Sequence, residues 1–515
     1  MPQTMSVRKS FQQMITDVMP RGAGALFFIQ MFSTLAFSVL YSTLVLYATS
    51  GLHLSDRTAN GITTSFIAFN YALHLLGGYV GGRFFSYRAL FSIGMGLQIV
   101  GCALIAIPSL TSLYWGLAAF LTGAGLNVTC INCMMTQLFR PEDKRREAAF
   151  LWNYSGMNVG FFVGFTVSGW LQLRNGYHAL FMFAACGNLL ALFLMLMHWK
   201  KLDDSQTILK RLSPALRVMA RTKGTFLIIL LVLGLRFLLE NAAASNQLIM
   251  VAGIVMMGFI AFLAVRQPAP EASRKLWGYL ILSCASIAFW TLYQMAPMGL
   301  MLFIQRNVDR HFMGFVIAPQ WVQNINTFVI ILGGPLLSVL FNVLRDYGVR
   351  ITLPLQFGIA LLCIGAALAI LPVGIRMANP QGLTSFSWIL GCFALQSIGE
   401  LFISPIGYAM VGQLVPVPLQ GVLMGTWMMM TGIAATLSGY FSDMALSSVA
   451  SVDPVLTNPG FAHTFGMLGW SAVAVGILLL LVMPGILKLT QERKIRTEEK
   501  PRPQSGSSPA SSIPF

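Results

Sequence analysis

The stretch QSIGELFISPIG, from Gln396 to Gly407, places a carboxylate in the middle of an apolar run that extends from about Leu383 to Val415. The run is longer than the roughly 20 residues that a helix needs to cross the hydrocarbon core of a bilayer. A carboxylate at that depth costs roughly 2.5 to 3.5 kcal/mol on insertion, so Glu400 is expected to face a cavity or a partner group rather than lipid. Glu400 is therefore the first candidate for a functional residue. The structural alternative is a protonated acid that is hydrogen-bonded between helices.

The rest of the chain has the composition of a membrane protein. Of its 515 residues, 56% are hydrophobic and only 10% are charged, which excludes a soluble globular protein. Fourteen apolar runs are long enough to predict transmembrane helices. They cover residues 22–48, 60–82, 88–108, 111–139, 148–172, 177–199, 225–242, 244–267, 276–305, 314–344, 351–375, 383–415, 419–445 and 464–487.

The basic residues predict the orientation of these helices. Alternate connections carry 27 of the 33 Lys and Arg residues on one side of the membrane and five on the other, and Arg236 lies within a span. This asymmetry predicts that both termini lie in the cytoplasm. The formal net charge of +16 is therefore explained by membrane topology, and no nucleic-acid partner is predicted.

The spacing of the runs predicts two six-helix bundles separated by an inserted two-helix hairpin, which is the layout of major facilitator carriers. The predicted units are a cytoplasmic N-terminus (1–21), an N-terminal bundle (22–199), a cytoplasmic linker (200–224), a transmembrane hairpin (225–267), a C-terminal bundle (268–489) and a disordered cytoplasmic tail (490–515). Arg236 and Glu240 lie one helical turn apart in the hairpin, where they are expected to form a structural ion pair.

Other classes of protein lack support in the sequence. The P-loop pattern of ATP-driven pumps is missing, and no nucleophile constellation indicates an enzyme. The seven cysteines fall within apolar runs, so neither disulfides nor a metal site is predicted, and no cofactor is expected.

Several motifs resemble one transporter family. The fifth span reads AAFLWNYSGMNVGFF, similar to an aromatic-Tyr-x-x-x-Asn-x-Gly signature with Tyr154, Asn158 and Gly160 in place. The stretches LFIQRNVDR (302–310), NINTF (324–328), QSIGELFISPIG (396–407) and LQGVLMGTWM (419–428) follow the same pattern. Together they resemble the proton-coupled oligopeptide transporters of the major facilitator superfamily, in their bacterial fourteen-helix form.

The resemblance implies a substrate site at mid-membrane. In the family, the tenth-helix glutamate, here Glu400, receives the amino terminus of a peptide. The predicted substrate-binding residues that match family positions are Tyr71, Tyr154, Asn158, Asn326, Glu400, Ser404 and Trp427. Gln294 is added because it is an amide within an apolar span.

The chain also departs from the family pattern. The ExxER motif of the first helix is absent, and Gln30, Ser33 and Thr34 stand in that stretch. Val128 occupies the position of the family's fourth-helix lysine, and Gln294 that of the seventh-helix glutamate. In the family, the first-helix arginine and the fourth-helix lysine hold the carboxylate of the peptide. The resemblance therefore implies that this chain keeps the residue that binds the amine, Glu400, and lacks the residues that bind the carboxylate.

The predicted protein is therefore not an enzyme but a secondary transporter of small peptides or peptide-like amine-containing solutes, with proton coupling altered or lost. Glu400 and His74 are the candidates for proton coupling, and protons are the candidate coupling ion. Two alternatives remain: a carrier of the same fold for a non-peptide metabolite such as a siderophore, in either direction, and a transport-incompetent receptor. We expect a monomer in the bilayer of the bacterial cytoplasmic (inner) membrane.

Overall fold

The computed structural model of the chain describes residues 22–139, 143, 145–202, 207–312, 314–348, 351–416, 419–446 and 451–490. The predicted N-terminal segment 1–21 and residues 491–515 of the predicted tail lie outside this range. The first six long helices are α1 (Ala23–Leu46, extended by a π-helical turn at Tyr47–Gly51), α2 (Asp56–Val80), α3 (Tyr87–Ile105), α4 (Leu110–Gln137), α5 (Arg145–Gln172) and α6 (Tyr177–Met197).

The second part of the chain continues with the short helix α7 (Ile208–Arg211) and the pair α8 (Pro214–Glu240) and α9 (Ala242–Arg266). The remaining helices are α10 (Pro270–Tyr293), α11 (Gly299–Asn307), α12 (Gln323–Asp346), α13 (Leu353–Ala369), α14 (Leu371–Arg376), α15 (Phe386–Leu414), α16 (Gln420–Ala445), α17 (Pro454–Leu481) and α18 (Met483–Thr490). Short strands connect some of them: β1 (Val308–Asp309) pairs in parallel with β4 (Thr384–Ser385), and β2 (His311–Phe312) pairs with β3 (Phe315–Val316).

Side-chain caps fix several helix starts, because they satisfy backbone N–H groups that have no partner within the helix. The hydroxyl of Ser55 accepts a hydrogen bond from the backbone of Thr58 at 3.2 Å, and α2 begins directly after it. Asp453 accepts one from Val455 at 2.9 Å at the start of α17.

Two bundles can be recognised from the packing. Helix α1 packs on α5 and α6, and α3 packs on α4 and α6, within the first bundle. Helix α13 packs on α15 and α17, and α10 packs on α16, within the second. The bundles meet most extensively where α2 lies along α16, and less extensively between α5 and α12. The hairpin of α8 and α9 contacts α2 and α4 of the first bundle and α10 and α16 of the second.

Helix length and apolar composition give different numbers of membrane spans. Twelve helices in the described part of the chain are long and apolar enough to cross a membrane. Helices α2 and α5 are 25 and 28 residues long and pack within the bundles, but they are more polar and are not among the twelve. The fourteen-span count therefore stays a prediction.

The helix boundaries differ from the predicted runs at several points: the helix predicted from residue 314 begins at Gln323, and the helix predicted from residue 464 begins at Pro454. Helix α8 begins at Pro214, inside the range 200–224 predicted as a linker, because basic residues such as Arg217 lower hydropathy without preventing a helix, and Pro214 suits the first helical turn. The predicted run 276–305 is divided between α10 and α11, which are separated by turns over residues 294–298. Gln294 caps the end of α10 at this break.

Candidate substrate-binding cavity

A cavity of about 610 Å³ lies between the two bundles. It is lined by residues of α1 to α5 from the first bundle and of α10, α12, α15 and α16 from the second. Most of the residues predicted to bind substrate or protons meet there: Tyr71, His74, Tyr154, Asn158, Asn326, Glu400, Ser404 and Trp427.

Glu400 is held at the cavity wall by neutral hydrogen-bond donors. Asn326 Nδ2 donates to Glu400 Oε2 at 2.5 Å, and Ser404 Oγ donates to Oε1 at 3.5 Å. The Tyr293 hydroxyl also hydrogen-bonds the carboxyl group. Asn326 Nδ2 lies 3.2 Å from Ser397 Oγ as well, which fixes the amide against α15. These donors orient the carboxylate without neutralising its charge, so it can still pair with a cation.

The charge of the cavity is unbalanced. Among the lining residues that the structure describes, Glu400 is the one acid, and none is Lys or Arg. Gln30, Ser33, Thr34 and Val128 line the cavity, where the resemblance would place charged residues. Gln30 and Thr34 are hydrogen-bonded to each other, with Gln30 Nε2 donating to Thr34 Oγ1 at 2.9 Å. The cavity therefore favours a positive group near Glu400 and offers only neutral partners elsewhere.

Gln294 is the predicted site residue that does not line the cavity. It is fully buried, and its Oε1 accepts a hydrogen bond from the hydroxyl of Tyr41 at 3.0 Å. Tyr41, in contrast, does line the cavity, so the tyrosine stands between Gln294 and the cavity space. This bond links α1 of the first bundle to the end of α10 in the second. Tyr41 and Tyr293 were missed because tyrosines within apolar runs carry no sequence signal that separates packing from binding.

Trp427 forms part of the wall through a close contact with Gly407. The indole of Trp427 is buried, and a Cβ atom built on Gly407 would lie 2.1 Å from its Cζ2 and 2.7 Å from its Nε1. Only glycine leaves room for the ring at this point of α15, two residues after Pro405. The sequence PIG thus shapes the wall beside Glu400.

We expect Gly407→Ala to destabilise the protein by about 1 to 3 kcal/mol, because the added methyl group must displace the indole. Thermal unfolding in detergent would measure the loss. The matched control is Gly412→Ala on the same helix, where a Cβ would meet nothing within 4 Å. That control should be neutral or slightly stabilising. Equal stability of the two variants would show that the Trp427 contact does not constrain α15.

The two bundles are closed against each other at one end of the cavity, opposite the connections rich in Lys and Arg. Arg306 donates two hydrogen bonds to Asp56, at 2.6 and 2.8 Å, and so joins α11 to α2. Asn60 donates to Asp443 at 3.1 Å, and the indole of Trp321 donates to the carbonyl of Thr166 at 2.9 Å. We call the Asp56–Arg306 pair and the Asn60–Asp443 bond the end contacts.

Asp443 is a further acid within a membrane-length helix. It lies in the last turn of α16, where the sequence SGYFSDMA continues the apolar run. A carboxylate inside such a run is the same signal that drew attention to Glu400.

Membrane-length helices arranged in two bundles, with a cavity between them that is closed at one end, are typical of multi-pass membrane transporters. The chain belongs to the POT family, whose model PTR2 matches residues 87–456. This is a family of transporters and not of enzymes, as predicted. The predicted major facilitator fold and the predicted family are thereby confirmed, whereas the fourteen-helix count and the cytoplasmic position of both termini stay predictions.

The chain also resembles curated permeases in sequence and a solved peptide transporter in fold. The chain is 29% identical to dipeptide and tripeptide permease A of Cronobacter turicensis over 481 residues, which is 92% of this chain and 94% of the relative. It is 28% identical to the permease of the same name from Salmonella typhimurium over 479 residues, with the same coverage. A crystal structure described as the peptide transporter POT in complex with sulfate superposes with a TM-score of 0.80 at 24% identity, and the match covers 91% of this chain and 96% of that one.

Proposed function

We propose that this protein is a secondary transporter of small peptides or peptide-like solutes that carry a positive amine, working by alternating access. The observation that carries the proposal is Glu400, the one acid among the described residues of a cavity that has no lysine or arginine in its described lining. Relatives described as dipeptide and tripeptide permeases support the peptide-like character of the solute.

The amine end of the solute binds at Glu400. Its carboxylate oxygens already accept hydrogen bonds from Asn326, Ser404 and Tyr293, so an ammonium group adds a charged donor to a preorganised acceptor. Tyr154 and Asn158 of α5, Tyr71 of α2 and the Trp427 indole surround the remainder of the solute. Gln294 acts indirectly, by holding the Tyr41 hydroxyl.

The far end of the solute is neutral. A free carboxylate there would enter a cavity whose described lining holds a negative residue and no cation, and it would lose its hydration without gaining a charged partner. Solutes with an amidated, esterified or otherwise modified carboxyl end are therefore preferred over ordinary dipeptides.

Proton coupling is altered, because Glu400 is the group that both the amine and a proton can occupy. The proton and the cationic solute then compete for one carboxylate, which supports exchange rather than simple symport. His74 is the second candidate for a proton carrier: its ring packs edge-on to Tyr71 with 6.1 Å between the ring centroids, at the cavity wall.

The transporter lies as a monomer in the bacterial cytoplasmic membrane with both termini in the cytoplasm. The distribution of Lys and Arg over the connections supports this orientation. The end contacts then lie on the outer side, and the described conformation is closed toward the outside.

The test is a set of related solutes assayed with purified protein at neutral pH. Alanylalanine methyl ester should stabilise the protein in a thermal-shift assay and exchange across proteoliposomes. N-acetylation of the ester removes the positive charge and should weaken binding by roughly a hundredfold, because the partner of a buried charge is lost. Equal binding of the acetylated ester would contradict the amine site, and tight binding of free alanylalanine would contradict the neutral far end.

A further inference from the structure

A corner rich in basic residues lies where α7 meets α8, at the end of the protein opposite the end contacts. The stretch from Thr207 to Gly224 contains no Asp or Glu, and its basic residues are Lys210, Arg211, Arg217, Arg221 and Lys223. The acids of the preceding connection, Asp203 and Asp204, lie outside the described residues. We call residues 207–224 the basic corner.

Hydrogen bonds hold the basic corner in a defined position. The backbone N–H of Leu209 in α7 donates to the carbonyl of Gly82 at 2.9 Å, which ties α7 to the connection between α2 and α3. The Arg217 guanidinium donates to the carbonyls of Leu212 and Lys210, both at 2.9 Å, and so holds α7 against the first turn of α8. Arg217 therefore serves the structure of the corner, and the cations on either side of it along the chain are fixed in place.

Helix α8 also packs directly on the connection between α2 and α3. A Cβ atom built on Gly224 would lie 2.5 Å from Phe85 Cε2 and 2.7 Å from Phe84 Cβ, so glycine permits the close approach. The same connection carries a further exposed cation, Arg83, whose guanidinium lies 4.5 Å from the centroid of the Tyr79 ring. The positive surface thus continues from the basic corner onto the first bundle.

The length of α8 places the basic corner at the level of the lipid headgroups. Its 27 residues span about 40 Å, whereas the hydrocarbon core of a bilayer is roughly 30 Å thick. The apolar part of the helix follows Gly224, and its side chains Phe226, Ile229 and Leu233 are exposed on the lipid-facing surface. Residues 214–223 therefore extend beyond the hydrocarbon core, through the headgroup layer.

The exposed surface of this segment combines positive charge with apolar groups. Arg221 and Lys223 are exposed, and so are Met219 and Val218, the latter at 64%. At a membrane surface, apolar side chains of this kind enter the acyl boundary while Lys and Arg reach the headgroups. Arg211, Arg221 and Lys223 form no ion pair within the described part of the chain. Their charge is thus available to an external anion.

We propose that the basic corner binds the phosphate headgroups of anionic lipids, with Arg211, Arg221 and Lys223 as the charged contacts. A phosphodiester group accepts charge-assisted hydrogen bonds from guanidinium and ammonium groups. In phosphatidylglycerol its negative charge is not compensated, whereas in phosphatidylcholine a quaternary amine compensates it. The inference concerns the lipid-facing surface and is independent of the identity of the solute.

The experiment titrates dioleoyl phosphatidylglycerol or dioleoyl phosphatidylcholine into the purified full-length protein in a neutral detergent and records the unfolding temperature. Phosphatidylglycerol should stabilise the wild type. Phosphatidylcholine should do so only at roughly a hundredfold higher concentration, because each cation near the lipid contributes about fivefold to the affinity. The triple variant Arg211→Gln, Arg221→Gln and Lys223→Gln should need roughly a hundredfold more phosphatidylglycerol for the half-maximal effect.

The matched control is the triple variant Arg266→Gln, Arg345→Gln and Lys488→Gln. These exposed cations lie in the last turns of α9, α12 and α18, and their loss removes the same charge from the protein. This variant should respond to phosphatidylglycerol like the wild type. The single variant Arg221→Gln should need about fivefold more lipid, and it tests the site if the triple variant of the corner fails to fold.

Three outcomes would overturn the proposal. Equal weakening in the two triple variants would show that the lipid responds to overall charge and not to the basic corner. An equal response of the wild type to both lipids would show that the headgroup charge is not recognised. Stabilisation by millimolar inorganic phosphate that matches phosphatidylglycerol, and that is lost in the triple variant of the corner, would assign the site to a free anion instead of a lipid.

Discussion

Replacing Glu400 with glutamine should weaken the binding of amine solutes about a hundredfold while leaving the protein folded. Glutamine keeps an acceptor oxygen for Asn326 and Ser404, so the local hydrogen bonds survive in part. The charge is lost, and with it the ion pair to the ammonium group. We expect a loss of about 3 kcal/mol in binding, which is roughly a hundredfold in affinity.

The measurement is calorimetric titration of wild type and Glu400→Gln with alanylalanine methyl ester, with unfolding temperatures recorded in parallel. Glu240→Gln is the control, because Glu240 pairs with Arg236 in the hairpin and lies outside the cavity lining. It should bind like the wild type. Unchanged affinity in Glu400→Gln would remove the basis of the amine site.

The same variant tests proton coupling. If Glu400 alone carries the proton, exchange in proteoliposomes should lose its dependence on the pH gradient in Glu400→Gln. Exchange that is still fully driven by the pH gradient in Glu400→Gln would show that another group carries the proton. His74 would then be the next residue to replace.

The second large effect is expected at the Asp56–Arg306 pair. This bidentate ion pair joins the bundles at the closed end, and both side chains are less than one-third exposed. Arg306→Ala should shift the equilibrium toward the state open at that end by about 1.5 to 3 kcal/mol, the value of hydrogen bonds to charged groups, or roughly ten- to hundredfold in population. Arg306→Asp should shift it further, since two acids then face each other.

Spin labels at Thr111 and Gln381 would report this shift. Both residues are exposed at the closed end, one at the start of α4 in the first bundle and one between α14 and α15 in the second. Double electron–electron resonance should show longer distances in Arg306→Ala and restored distances in the exchanged pair Asp56→Arg with Arg306→Asp. Identical distances in all variants would show that the ion pair does not hold the end closed.

The sequence predicted the helices well where the apolar runs were continuous, because burial in lipid requires continuous apolar length. It failed where polarity and helical structure separate. The first turns of α8 were not predicted because they contain basic residues such as Arg217. The break between α10 and α11 was not predicted because the residues around Met295 are apolar.

The candidate site was predictable where a residue is costly in its surroundings. Glu400 stands out because a carboxylate in an apolar run raises the free energy of insertion into the membrane, and Asp443 also lies in an apolar run. The roles of Tyr41 and Tyr293 could not be predicted, because which side of a helix faces the cavity is decided by packing between helices. Gln294 shows the limit: an amide at a plausible position, placed behind a tyrosine that occupies the space in front of it.

The inserted hairpin makes the two seams between the bundles unequal. At the seam of α2 and α16, α9 packs on both helices, and Ile433 of α16 fits against Gly253 of α9. At the seam of α5 and α12, the apolar face of α12 is exposed, with Leu336 at 69%. Movement at the first seam slides protein over protein, whereas movement at the second changes the area in contact with acyl chains. The thickness and composition of the bilayer therefore enter the free energy of the transport cycle mainly through one side of the molecule.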